Sequence, residues 1–263
     1  MNNKKTITSE KNEIIKDLLS LKKSRNRKKT GVFLIDGRRE LEIAIRANVE
    51  IEKIFICPDF IVKENFSLED YQKYETTFVS KAIFKKIAYK ENPDGFLALA
   101  KKQKANLNNI KPQTKEIIII LEMVEKPGNL GAIVRTAYAA GVKNIILTNC
   151  QTDIYNPNVI RSSEGLIFKL NIIELDNATT LSFLEKNNIK TFCAATTASK
   201  NYTKVNYPQK CALVFGSEAF GLSDFWLNNK ENNIKIPMVL GIDSLNVSVS
   251  VAIILFEALR QNS

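Results

Sequence analysis

Apolar residues at Ile14, Ile15, Leu18, Leu19 and Leu21 recur at helical spacing and predict a helix over Asn12–Leu21. Val32–Ile35 reads as a strand, bounded by Gly31 and by Asp36-Gly37. Leu41, Ala44 and Ile45 share one helical face over Arg38–Ala47. Ile51–Cys57 reads as a second strand, stopped by Pro58. Thr77–Val79, Lys81–Ile87 and Gly95–Ala100 continue as strand, helix and strand. The first part of the chain is therefore expected to be a small α/β unit.

Lys101–Lys115 breaks the pattern with lysines, asparagines and Pro112, a composition that suits a linker. Strand signals then resume at Glu116–Leu121, Asn144–Leu147, Thr191–Ala195, Ala212–Phe215 and Ile234–Ile236. Between them lie helical signals at Leu130–Ala140, ended by Gly141, and at Val159–Phe168, with an apolar helix over Val247–Leu259. Strands alternating with helices predict a mostly parallel sheet covered on both faces. The expected organisation is a basic segment over 1–30, a small α/β domain over 31–105 that takes in part of that segment, a linker over 106–115 and a second domain over 116–263.

Composition narrows the chemistry. The 263 residues are 44% hydrophobic and 25% charged, enough apolar material for real cores. The chain has no histidine, which removes Ser-His-Asp and Cys-His triads and every histidine metal ligand. Cys57, Cys150, Cys193 and Cys211 are scattered, with no C-x-x-C pair, so reduced thiols are expected and no metal site is. No apolar run approaches the ~20 residues of a membrane span, and residues 1–20 show no signal-peptide pattern. A soluble cytoplasmic protein is expected. The net charge is +10, and most of the excess lies in the first 30 residues, which hold 10 basic and 3 acidic side chains. Its centre is Lys22-Lys23-Ser24-Arg25-Asn26-Arg27-Lys28-Lys29. Such a cluster attracts phosphates whatever their base sequence; the plainer alternative is a solvated lead-in.

Three polar segments stand out in the second half. In Pro127-Gly128-Asn129-Leu130-Gly131, the glycines allow a tight turn after a strand, Asn129 is placed to cap the helix, and Arg135 follows one to two turns later. This is neither a G-x-G-x-x-G fingerprint nor a P-loop. Phe215–Ser223 puts Glu218 in a glycine-flanked turn at a strand's carboxyl end, where open α/β sheets bind ligands. Ile236–Val249 ends a strand at Pro237 and starts a helix near Asn246, with Ser244 and Asn246 as cap candidates.

Taken together, "NLGAIVRTA" (Asn129–Ala137), "FGSEAFGLS" (Phe215–Ser223) and "IPMVLGIDSLNVSVSVAI" (Ile236–Ile253) resemble the motifs of the SpoU/TrmH-type RNA 2'-O-ribose methyltransferases of the SPOUT superfamily. Asp153–Gly165 is similar to the segment between the first two motifs. The N-terminal half resembles an L30e-like substrate-binding domain, chiefly over Asn26–Glu40 and Pro93–Ala100.

The resemblance implies an S-adenosylmethionine-dependent enzyme that needs no metal, has a deep trefoil knot in its C-terminal domain and works as a homodimer. It implies a cofactor site at Thr196, Gly216, Ile236, Met238, Gly241, Leu245 and Asn246. Arg135 would anchor the substrate phosphate and stabilise developing charge. Asn129 would orient Arg135 or bind the ribose-phosphate, Glu218 would fix Arg135 or Asn129, and Ser244 and Asn246 would complete the site. Lys22, Lys23, Arg25, Arg27, Lys28, Lys29, Arg38 and Arg161 are the candidate RNA contacts. The implied substrate is ribosomal RNA, most naturally 23S, or a ribosomal particle. Transfer RNA and a non-catalytic RNA-binding or assembly role are the alternatives. Two positions depart from the family pattern: Ala219 stands where glycine is usual, and Glu164 where a small residue is. If position 219 required positive φ, alanine would cost about 1 kcal/mol.

Overall fold

The structure, a computed structural model, describes residues 6–62, 71–103, 106–107, 110, 112–228 and 232–262. It divides into two compact units: 1–104 with 154–168, and 105–153 with 169–263. The expected linker over 106–115 falls partly outside the described residues.

The first unit is built on a four-stranded sheet in the order β1 (Val32–Asp36), β4 (Phe96–Lys101), β2 (Ile51–Ile56), β3 (Thr76–Phe78). β4 runs antiparallel to β1 and β2, while β2 and β3 are parallel. Helix α1 (Glu13–Ser20) starts where Asn12 Oδ1 accepts the Ile14 N–H at 3.0 Å. It buries Ile15 and Leu18 against Leu34, Phe55, Phe84 and Leu97, so residues before 31 belong to this unit's core. Helices α3 (Arg38–Arg46) and α4 (Lys81–Ile87) lie where their apolar spacing puts them.

The charged cluster is itself a helix, α2 (Ser24–Thr30), closed by Gly31 at φ 73°. No apolar period announces it. It is tied down instead by Arg27, 1% exposed, whose guanidinium donates to the carbonyls of Leu21 at 2.7 Å and Lys22 at 3.1 Å.

The division also departs from the expected domain bounds at 154–168, which joins the first unit. The reason is local packing. Phe33 of β1 meets the ring of Tyr155 at 4.4 Å and that of Phe168 at 5.9 Å, and the Gln103 N–H donates to Tyr155 Oη at 2.9 Å. The helix expected over Val159–Phe168 is two pieces, α6 (Pro157–Ser162) and a 3-10 turn at Leu166–Lys169. Glu164 at φ 53° and Gly165 at φ 79° turn the chain out of the helix between them. Glu164 ion-pairs with Arg39 at 2.5 Å, so this departure from the family pattern is a structural contact.

The second unit is a seven-stranded sheet, wholly parallel in its described pairs. Its order is β7 (Asn171–Leu175), β6 (Asn144–Thr148), β5 (Glu116–Glu122), β10 (Lys210–Phe215), β8 (Lys190–Ala194), β11 (Asn233–Lys235), β9 (Lys200–Asn201). The isoleucine run of β5 is buried on both faces, as a central parallel strand requires. β7 and α7 (Asn177–Lys186) escaped the apolar pattern, although Asp176 accepts the Thr179 N–H at 2.7 Å as a helix cap. α5 (Pro127–Ala139) packs on α9 (Val247–Asn262), and α8 is one turn at Asp224–Leu227. Phe215 of β10 lies beside Leu121 of β5, so the loops leaving these two strands start side by side. Among the described residues, no helix is long and apolar enough to cross a membrane.

Candidate active site

The three polar segments converge at the carboxyl ends of the parallel strands. Helix α5 begins at Pro127, with Lys126 rather than Asn129 in the cap position. Asn129 is thus inside the first turn, and its side chain is turned to other work. Its Nδ2 donates to Glu218 Oε1, and its Oδ1 accepts from Asn246 Nδ2 at 3.1 Å. Asn246 Oδ1 in turn accepts the Ser248 N–H at 2.9 Å and its hydroxyl at 2.6 Å, capping α9. One chain of hydrogen bonds therefore joins all three segments.

The loop after β10 is shaped by its glycines. Ser217 and Gly221 exchange backbone hydrogen bonds at 3.0 Å each, so the chain doubles back within five residues. A Cβ on Gly216 would stand 2.0 Å from the carbonyl carbon of Gly221 and 2.3 Å from the nitrogen of Leu222. Only glycine fits there. Gly221 takes φ 68°, whereas Ala219 is not among the positive-φ residues, so its side chain adds no backbone strain of that kind.

Beside this loop lies a cavity of about 380 Å³, within the ~300–1,000 Å³ of small-molecule sites. Of the residues expected to hold a cofactor, Thr196, Gly216, Ile236, Met238 and Leu245 line it, together with Glu218 and Ser244. Gly241, at φ 93°, and Asn246 are not among its lining residues. Apolar walls come from Leu222, Val247 and Ile254. Apolar side chains beside a few polar groups are the usual make-up of a small-molecule site. Glu218 Oε2 is buried without a hydrogen-bond partner among the described residues.

Arg135 lies further along α5 and is exposed. The carboxylate of Glu218 is joined to Asn129, one of the two partners expected for it. Among the candidate RNA contacts, Lys23, Arg25, Lys28, Lys29 and Arg161 are exposed. Lys22 is exposed too, with its Nζ on the carbonyl of Lys86 at 2.8 Å. Arg38 bonds Glu42 at 2.8 Å. Arg27 is the exception to the expectation: buried on carbonyl groups, it holds α2 in place and presents no charge to a ligand. The thiols offer no nucleophile. Burial pushes Cys193 and Cys211 up to about 12 and raises Cys57 and Cys150 as well.

Two polar residues near the site were not foreseen. Glu122, the last residue of β5, is fully buried and accepts three hydrogen bonds from Asn177 and Ser223. A carboxylate ending an otherwise apolar strand was the available signal. Thr152 donates to the carbonyls of Val124 at 2.9 Å and Glu125 at 2.6 Å, bracing the loop that leads into α5.

The profile of the SpoU rRNA methylase family matches residues 116–256, and that of an MRM3-like substrate binding domain matches residues 12–98. The chain belongs to the SpoU rRNA methylase family. It is 26% identical to the 23S rRNA (guanosine(2553)-2'-O)-methyltransferase RlmP of Bacillus subtilis, over 96% of this chain and 98% of that one. It is similar to the crystal structure of an RNA 2'-O ribose methyltransferase, at 34% identity and a TM-score of 0.86, over 98% of this chain and 99% of that one. It also matches an S-adenosylmethionine-bound rRNA methyltransferase from Sinorhizobium meliloti at 26% identity and a TM-score of 0.88, over 97% of each chain.

Proposed function

We propose that this protein transfers the methyl group of S-adenosylmethionine to a ribose 2'-hydroxyl of large-subunit ribosomal RNA. The observation that carries the reading is the bonded set Asn129, Glu218 and Asn246 at the strand ends, beside the cavity lined by Thr196, Gly216, Ile236, Met238 and Leu245. Membership of the SpoU family and the names of the relatives support the reaction class and the substrate.

When bound, the cofactor supplies an activated methyl on a sulfonium. What the protein must add is alignment of the attacking oxygen and control of one proton. Glu218 holds the Asn129 amide by a charge-assisted bond, and Asn246 holds it from the other side, so the amide is fixed before substrate arrives. Arg135, exposed on the same helix, anchors the phosphate beside the reacting ribose and stabilises charge developing on its oxygen. A guanidinium is a donor with no acceptor site, which suits it to this electrostatic role. Ser244 lines the cavity and completes the site. The exposed Lys23, Arg25, Lys28 and Lys29 on and beside α2, with Arg161, draw the RNA backbone to the substrate-binding unit.

Tyr138 on α5 and Val249 and Phe256 on α9 are large apolar side chains 44–50% exposed, and they support a second copy of the chain packing on these helices. The loops at 216–222 and 236–246 are read as the crossing segments of the knot.

The test is incubation of the purified protein with methyl-labelled S-adenosylmethionine and undermethylated 23S, 16S and transfer RNA, followed by nucleoside analysis. Label confined to a 2'-O-methyl nucleoside of 23S RNA is expected. Label on transfer RNA would move the substrate, and label on a base would overturn the mechanism.

A further inference from the structure

Glu122 is an acid buried to 0% exposure that the proposed chemistry does not use. Burying a carboxylate is costly unless its oxygens are bonded. Here Oε1 accepts from Asn177 Nδ2 at 2.7 Å and from the Ser223 hydroxyl at 2.6 Å, and Oε2 accepts the Ser223 N–H at 2.8 Å. Ser223 is the residue at which the Gly216–Leu222 loop ends and α8 begins. Asn177 passes the connection on, its Oδ1 accepting from Trp226 Nε1 at 3.1 Å. The loop is thus held at its start by β10, at its middle by the Ser217–Gly221 pair, and at its end by Glu122.

We propose that Glu122 is a positioning residue: by clamping Ser223 it fixes the cavity wall at Gly216–Leu222 and, through that loop, the carboxylate of Glu218. The proposal rests on the reading of the cavity as the cofactor site. Glu122 also adjoins Met123, at φ 52°, where the chain turns off β5 toward Asn129. One carboxylate therefore stands at the root of both segments whose side chains must meet, Asn129 and Glu218.

The experiment measures S-adenosylhomocysteine binding by calorimetry on the full-length protein, with acrylamide quenching of Trp226, the chain's single tryptophan, alongside. Glu122→Gln replaces an acceptor by a donor facing donors. It is expected to weaken binding by about tenfold or more, the scale of a lost hydrogen bond to a charged group. Trp226 should become easier to quench. Glu122→Asp, which keeps the charge, should bind more tightly than Glu122→Gln. In turnover, the KM for S-adenosylmethionine should rise while that for RNA holds, a split that general destabilisation would not produce. Should Glu122→Gln fail to fold, Ser223→Ala decides: it loses one of the three donors and is expected to weaken binding in the same direction. Wild-type affinity in whichever of these variants folds would overturn the proposal. If the wild-type protein itself bound no S-adenosylhomocysteine, the cofactor reading would fall and this proposal's cavity role with it. Quenching of Trp226 would then still report whether Glu122 clamps the loop.

Discussion

The most direct physical test of the site is Gly216→Ala. The added Cβ would sit 2.0 Å from the Gly221 carbonyl carbon, 2.2 Å from its oxygen and 2.3 Å from the Leu222 nitrogen. Carbon atoms rest about 3.5–4.0 Å apart, so the two backbones must separate by about 1.5 Å. No flexible side chain can yield instead, because all three of these neighbours are main chain. The Ser217–Gly221 hydrogen bonds, both 3.0 Å, would then pass the ~3.2 Å limit of a good N–H···O bond. At about 0.5–1.5 kcal/mol each, their loss costs about 1–3 kcal/mol. The loop opens before the domain unfolds, so the loss of global stability should stay within that range. Binding should suffer more, since residues 216–222 form one wall of the cavity. Displacing two main-chain contacts to a ligand corresponds to about a hundredfold in affinity. Calorimetry with S-adenosylhomocysteine and urea unfolding would measure the two effects. Gly128→Ala is the matched control: nothing lies within 4 Å of its added Cβ and its φ is ordinary. It should keep the affinity and gain up to about 1 kcal/mol of stability. Unchanged binding and stability in Gly216→Ala would refute the reasoning.

Other outcomes follow from the same contacts. Arg135→Ala, at an exposed position, should unfold like the wild type but lose about 10²–10³ in kcat; full turnover would remove Arg135 from the chemistry. Arg27→Ala leaves one buried and one half-buried carbonyl without the guanidinium donor and should cost about 2–4 kcal/mol in urea unfolding. Lys28→Ala with Lys29→Ala should instead preserve stability while weakening RNA binding and flattening its salt dependence; the reverse pattern would undo the division of roles. Asp36 is held above its usual 3.8 chiefly by burial, so its charged form is disfavoured in the fold. Its contribution is therefore lost stability that grows as pH rises from about 3.8 through the raised folded value. Asp36→Asn keeps an acceptor for the N–H groups of Tyr89 and Lys90. Its stability relative to the wild type should rise as the pH climbs above about 3.8, and a relative stability that falls with rising pH would contradict the assignment.

Much of the fold was legible because burial was local. Helix α4 runs from Lys81 to Ile87, as its apolar spacing indicated, and β5 reads as buried because a central parallel strand is covered on both faces. Where stabilisation came from elsewhere, the pattern was silent. Helix α2 has no apolar face to read and depends on a buried guanidinium. Residues 154–168 sit between two strands of the second unit in sequence, yet Phe33 recruits them to the first through Tyr155 and Phe168. Nothing in a linear period marks that choice.

The site divides along the same line. The residue types were set locally: glycine where backbones approach or φ is positive, and Asn246 where a helix needs a cap. Such requirements act over a few residues and leave their mark in the sequence. Which groups meet was decided only by the folded chain. Asn129 reaches Glu218 across 89 residues because β10 lies against β5, and it reaches Asn246 across 117 because α9 packs on α5. Those pairings arise from sheet order and helix packing, long-range properties for which no short segment carries a signal. The same is true of Glu122, an unremarkable acid in the chain that becomes a buried clamp once Ser223 and Asn177 close around it.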